Sequence, residues 1–127
     1  METCPNCGAS GAETIQQDLC YCPVCQRYFY PSAVAGGLGT TLVRQRLIRA
    51  LKGAKTKPEQ ELAAVEKRIR AAEERIQHIE HTARVFRASR MEEVADAMAP
   101  DQARAEALRA VLHRMNAELF ELTSSGD

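Results

Sequence analysis

Apolar side chains follow two different patterns along this chain. From residue 41 onward they recur at three- and four-residue steps, the spacing that gathers them on one face of a helix, whereas before residue 35 they show no such period. The first helix is predicted over 41–56, with Thr40 or Thr41 as its N-cap and Val43, Leu47, Leu51 and Ala54 on its apolar side. Pro58 ends it, because the residue before a proline avoids the helical region. Pro58 also opens a second helix, predicted over 58–88, where Glu59 and Glu61 suit the positive N-terminal end. In that helix Leu62, Val65, Ile69, Ala72, Ile76, Ile79, Ala83 and Phe86 step by three and four without a slip, the a/d pattern of a coiled-coil seam. At 1.5 Å per residue it is a rod of roughly 45 Å. Ser89 and Glu92 have the spacing of a capping box for a short helix over 90–98. Pro100 starts a fourth helix, over 100–122, whose Ala105, Leu108, Leu112, Met115, Leu119 and Leu122 repeat the seam spacing. Two seams of one type joined by a short break predict an antiparallel helical hairpin. The second arm is the shorter, so part of the long seam is left for helix 41–56 or for a second copy of the chain, as in a homodimer.

The segment before residue 35 changes this picture, because its composition is that of a different kind of unit. It is rich in Cys, Pro, Gly and aromatic residues, and Tyr21, Tyr28, Phe29 and Tyr30 are four of only six aromatic residues in the 127-residue chain. A Gly-rich stretch at 36–40 reads as the linker to the helices. All five cysteines fall within the first 25 residues. Four of them make two C-P-x-C turns, Cys4-Pro5-Asn6-Cys7 and Cys22-Pro23-Val24-Cys25, separated by fourteen residues. Each such turn puts two sulfurs on one side of an ion and points backbone amides at them, and two turns brought together by a hairpin complete the tetrahedron of thiolates that zinc prefers. Glu13–Gln17 and Asp18–Tyr21 supply the hairpin strands. A thioredoxin-type redox pair would need a βαβ context, which is missing. A unit of about 35 residues with so few apolar side chains cannot be stabilised by burial alone, and structural zinc contributes on the order of 10–16 kcal/mol in small peptides. Four thiolates leave no open coordination position, so one structural zinc ion is expected, not a catalytic one. Cys20 reads as a small buried strand residue, with a substitute ligand or redox-sensitive thiol as its alternative.

Cys4-Pro5-Asn6-Cys7-Gly8 and Tyr21-Cys22-Pro23-Val24-Cys25, followed by Tyr28 and Phe29, resemble the zinc-ribbon family over the first quarter of the chain. The resemblance implies two zinc knuckles on a small antiparallel sheet. Gln26 stands where the second knuckle of the family often has Gly, which implies strain at that turn. The family includes transcription factors, polymerase subunits, transposase domains and protein-docking modules, so it does not select a function. The expected architecture is thus mainly α: a β zinc ribbon at 1–35, a linker at 36–40, and a helical region at 41–123 made of a long antiparallel coiled-coil hairpin and an additional basic helix.

Net charge is zero, with 17 basic and 17 acidic residues, and gives no overall argument for nucleic acid or membrane. Its distribution does carry information. Segment 36–57 has six basic side chains and no acid, whereas 91–127 has a net charge of −5. Arg44, Arg46, Arg49, Lys52 and Lys55 are expected opposite the apolar side of helix 41–56, where they would suit a phosphate backbone or an acidic protein surface, or form a solvated face or pair with the acidic segment. His78 and His81, with Glu74, fall at outward heptad positions, and His113 is isolated. Gly36–Thr41 lacks the Lys-Ser/Thr ending of a phosphate loop. No nucleophile, base and orienting acid occur as a set, so the chain is read as non-enzymatic. No signal peptide or membrane span is apparent, and thiols in metal-binding spacing fit a reducing, cytoplasmic compartment. These features predict a zinc-binding interaction protein, an adaptor, regulator or inhibitor that docks on a larger protein assembly. The alternative is a nucleic-acid-binding or transcription-associated regulator that uses helix 41–56.

Overall fold

The computed structural model describes residues 2–16, 19–31 and 39–124. Residues 17 and 18 of the expected hairpin, 36–38 of the expected linker and the tail 125–127 lie outside the described residues. The chain divides into two compact units, Met1–Lys57 with Leu112–Asp127, and Pro58–Val111. This differs from the expected ribbon-then-helices division: the first helix and the end of the last one belong with the strands. The reason is size, since a sheet this small has too little apolar surface to form a core of its own and must recruit helices.

The first unit holds four short strands, β1 (Glu2–Thr3), β2 (Ser10–Gln16), β3 (Leu19–Cys22) and β4 (Arg27–Phe29), all antiparallel in the order β1-β2-β3-β4. Cys20 pairs with Phe29 and Tyr21 with Tyr28 across β3 and β4. Because side chains alternate between faces, Cys20, Cys22 and Phe29 share one face, and there they pack with Cys4 and Ala12. The Tyr21 and Tyr28 rings lie on the other face, with centroids 4.7 Å apart. Helix α1 (Thr40–Ala54) buries Leu47, Ala50 and Leu51 and contacts β3. The Gln16 side-chain amide also donates to the Ala50 carbonyl at 3.3 Å. The helix starts one residue before the expected 41–56 and stops two earlier. Gly39 is its N-cap with no side-chain capping bond, so neither Thr40 nor Thr41 plays that part.

The second unit is built from α2 (Thr56–Thr82) and the first part of α3 (Arg87–Ser124). Val65 packs with Ala105 and Leu108, flanked by Leu62 and Ile69. Outside this core Arg68 meets Asp101 at 3.0 Å, Arg109 meets Glu66 at 3.1 Å, and Arg104 forms a two-pronged bond with Glu61. These exposed pairs fix register more than they stabilise, at about 0–1 kcal/mol each.

Three expected boundaries move. Pro58 lies inside the first turn of α2, where backbone N–H groups have no intrahelical acceptor and a proline removes nothing. Pro100 does not restart the chain: the helices expected over 90–98 and 100–122 are one, α3, and Ser89 lies within it instead of capping it. Buried or half-buried positions run 91, 94, 98, 101, 105, 108, 112, 115 without interruption, and Pro100 is exposed beside that stripe. The Asp96 carbonyl that loses its partner is on an exposed residue and can bind water.

The third boundary carries strain. The helix expected over 58–88 ends at Thr82, and Phe86, expected in the seam, is 72% exposed with φ +55°. Its carbonyl accepts the Arg90 N–H at 2.9 Å, which makes it the N-terminal cap of α3, while the Arg87 side chain donates to the Ala83 carbonyl. No glycine or proline is available between Ala83 and Phe86 to take the bend, so an aromatic residue occupies the left-handed region. Phe86→Gly is therefore expected to stabilise the protein by about 1 kcal/mol, read as a higher urea midpoint with an unchanged slope.

Candidate metal centre

The two cysteine turns are built by local backbone bonds. In the first, the Gly8 N–H donates to the Cys4 carbonyl at 2.9 Å and the Cys4 N–H donates to the Ala9 carbonyl at 2.9 Å. In the second, the Gln26 N–H donates to the Cys22 carbonyl at 2.8 Å. Both turns close on a left-handed residue, Gly8 at φ +74° and Gln26 at φ +59°. The glutamine takes the glycine-like conformation at a steric cost that glycine avoids.

The pairing of β1 with β2 and of β3 with β4 frames one turn each, and the pairing of β2 with β3 brings the two turns together. The four sulfurs of Cys4, Cys7, Cys22 and Cys25 lie within 4.8 Å of one another. Across the turns, Cys4 Sγ is 3.5 Å from Cys25 Sγ and Cys7 Sγ is 3.6 Å from Cys22 Sγ. A tetrahedron with Zn–S bonds of about 2.3 Å has edges of about 3.8 Å, so the spacing fits the ion with small adjustments. The cluster is consistent with a zinc-ribbon-like motif, and of the metals that four thiolates can hold, zinc suits this donor set best.

Backbone amides face the sulfurs, as the turn geometry requires. The Asn6 N–H approaches Cys4 Sγ at 3.4 Å, and amides of Cys7, Ala9 and Arg27 reach Cys4, Cys7 and Cys25 respectively. Burial acts to raise the Cys4 thiol, but the Cys7 and Asn6 amides and the neighbouring thiols overcome it and lower Cys4 to about 7. Cys25 goes the other way: burial first, then the Cys4 and Cys22 sulfurs, push it up to about 12. The Cys7 thiol is also raised, its backbone bond to Ala9 being outweighed by burial and the neighbouring sulfurs, so the cluster holds one readily ionised thiol beside two shifted toward the protonated form. Cys20 is fully buried in β3 and lies outside the four-sulfur cluster, among the core residues on the same face.

A second feature escaped the sequence reading. Glu118 of α3 has a side chain only 4% exposed, and it accepts the Arg27 Nε–H at 2.8 and 3.0 Å and the Tyr28 backbone N–H at 2.9 Å. The Arg27 guanidinium also meets Glu121 at 3.3 Å. Bonding to Glu118 raises the Arg27 pKa further above its ordinary value, against the opposing effect of burial. One turn before Glu118, the Arg114 guanidinium lies 5.6 Å from the centre of the Tyr21 ring, in cation–π range. The end of α3 thereby covers the tyrosine face of the sheet, immediately behind the second cysteine turn. The signal was present in the helical spacing: from Met115 to Leu122, Glu118 satisfies the three-four step as well as Leu119 does.

The basic residues of α1 are not one face. Arg46, Arg49 and Lys52 are exposed at three-residue spacing and pair with no acid among the described residues. Lys55 is half-buried at the C-cap. Arg44 departs from expectation: it is half-buried and shares a cleft wall with Val43 and Leu47, because the apolar side of α1 is broad enough to include its flank. His78, His81 and His113 are exposed, and among the described residues the four cysteines are the one cluster that could hold a metal ion. No helix of the described residues is long and apolar enough to cross a membrane. Compared with protein-family models, curated proteins and solved structures, the chain matches none, so its site stands on its own geometry.

Proposed function

We propose that this chain is a non-enzymatic interaction protein. In this reading a zinc ribbon, folded around one structural zinc on Cys4, Cys7, Cys22 and Cys25, is held on a coiled-coil helical hairpin and docks on a larger protein assembly as an adaptor, regulator or inhibitor. The observation that carries it is the closed donor set: four cysteine sulfurs within 4.8 Å complete a tetrahedron by themselves and leave no position for substrate. Such a site builds a surface instead of performing a reaction. The expected products of purification with and without nuclease are one zinc per chain by metal analysis, and a protein complex whose mass nuclease does not change. Recovery of nucleic acid alone would overturn it.

A second reading is favoured by the exposed row Arg46, Arg49 and Lys52, unpaired among the described residues, which suits phosphate contact in a transcription-associated regulator. It requires binding to nucleic acid that falls steeply with salt and is lost when these three residues become Glu. An unshifted band at low salt removes it.

A further inference from the structure

Between strand β4, helix α1 and the first cysteine turn, which contributes Pro5 and Asn6, lies a cleft of about 400 Å³ whose walls include Tyr28, Tyr30, Val43 and Leu122. Most of its lining is apolar or aromatic, with Asn6, Arg27, Arg44 and Glu118 as its polar groups, and a cleft of this size and character is the usual form of a binding site. One wall carries Arg44, half-buried and without an ion pair to any described residue. The other guanidinium at the cleft, Arg27, is already committed to Glu118 and Glu121. Within this hollow Glu118 balances Arg27, and Arg44 is left without a carboxylate partner among the described residues, half-buried where pairing is worth more than in open solvent. It does not end at Leu122. A second cavity of about 470 Å³ shares Arg27 and Leu122 with it and extends to Phe120, which is 71% exposed, and to Glu121, whose charge places a ligand carboxylate at Arg44 in the first hollow and not here. Two adjoining hollows with a charge in the first and an exposed ring in the second suit an elongated chain better than a compact small molecule.

We propose that this groove is the docking site of the interaction protein, and that it takes a peptide segment of a partner protein carrying an acidic side chain between large apolar ones. The carboxylate pairs with Arg44, and the flanking apolar side chains fill the cleft against Tyr30, Val43 and Leu122 and lie over Phe120. The inference rests on the interaction-protein reading, and it names the site and the chemistry of the partner.

The test is to pan a displayed random-peptide library on the intact zinc-loaded protein and to measure a selected peptide, made free, by calorimetry. The enriched sequences are expected to share an Asp or Glu beside large apolar residues. Arg44→Glu and Arg44→Ala should each weaken the free peptide by about tenfold or more, with zinc content and circular dichroism unchanged. A peptide with Lys in place of its acid should regain affinity for the Arg44→Glu protein. Lack of enrichment, a consensus without an acid, or undiminished binding to both Arg44 variants overturns the proposal. So does a dimer in light scattering that Arg44→Glu dissolves, since the occupant is then a second copy. A native complex that survives both Arg44 variants sinks the groove but leaves the interaction reading standing; absence of any protein complex sinks that reading itself.

Discussion

Cys22→Ser is expected to abolish zinc binding and to unfold the strand region, leaving residues 58–111 helical. Cys22 lies at the crossing of two roles. Its sulfur is 3.6 Å from that of Cys7 within the four-sulfur cluster, and it is buried with Cys20 and Phe29 in the core of the sheet. The strands bury too few apolar side chains to stand without the ion, and metal binding in such small units is itself the folding free energy, on the order of 10–16 kcal/mol. A hydroxyl does not replace the thiolate, so most of that contribution is lost. Near-ultraviolet circular dichroism of the tilted Tyr21–Tyr28 pair reports the loss of the sheet, and metal analysis reports the ion. Cys20→Ala is the control: Cys20 is equally buried but outside the cluster, so this variant should keep one zinc. A Cys22→Ser protein that retained a full equivalent of metal would refute the assignment. The same chemistry fixes the pH dependence. Binding must strip the proton from Cys25, whose thiol holds it up to about 12, and complete the ionisation of Cys4, lowered to about 7. Metal uptake at neutral pH therefore releases protons, and apparent affinity falls as pH falls.

Glu118→Ala should cost about 2–3 kcal/mol, the second largest single effect. It removes the charged acceptor of the buried Tyr28 N–H, and a buried donor left without a partner costs about 1–3 kcal/mol. It also releases Arg27, but that side chain is 41% exposed and can return to water, so the 3–5 kcal/mol typical of breaking a fully buried pair is not reached. Glu118→Gln keeps an acceptor for Tyr28 while losing the charge, and should fall between wild type and Ala. Urea unfolding of the zinc-loaded proteins ranks the three. Equal midpoints for Ala and wild type would show that the end of α3 is not anchored through this carboxylate.

The local motifs were legible because their causes are local. Two C-P-x-C turns need only a few residues each to aim their sulfurs and amides. Their four cysteines follow from spacing alone, and strain at Gln26 is implied by the zinc-ribbon resemblance, while its left-handed conformation is read from the structure. The apolar stripe of α2 from Leu62 to Ile79 is readable for the same reason, since helical period is a property of the backbone. Pro100 misled because a proline removes one bond and adds one clash, costs that an exposed position on a well-packed helix can absorb. Phe86 misled because an apolar residue in register reads as seam, and nothing in Ala83–Phe86 marks a bend.

Sequence by itself determined the cysteine donor set, the mainly helical character and the spacing of the apolar stripes. These follow from turn chemistry and periodicity within a few residues. Only the tertiary structure decided that Glu118 reaches back ninety-one positions to Arg27, that Arg114 lies over Tyr21, and that Arg44 leaves the basic face to line a cleft. Each of those depends on which surfaces a small sheet must cover to become dry. That requirement is set by the whole unit and not by any stretch of its sequence.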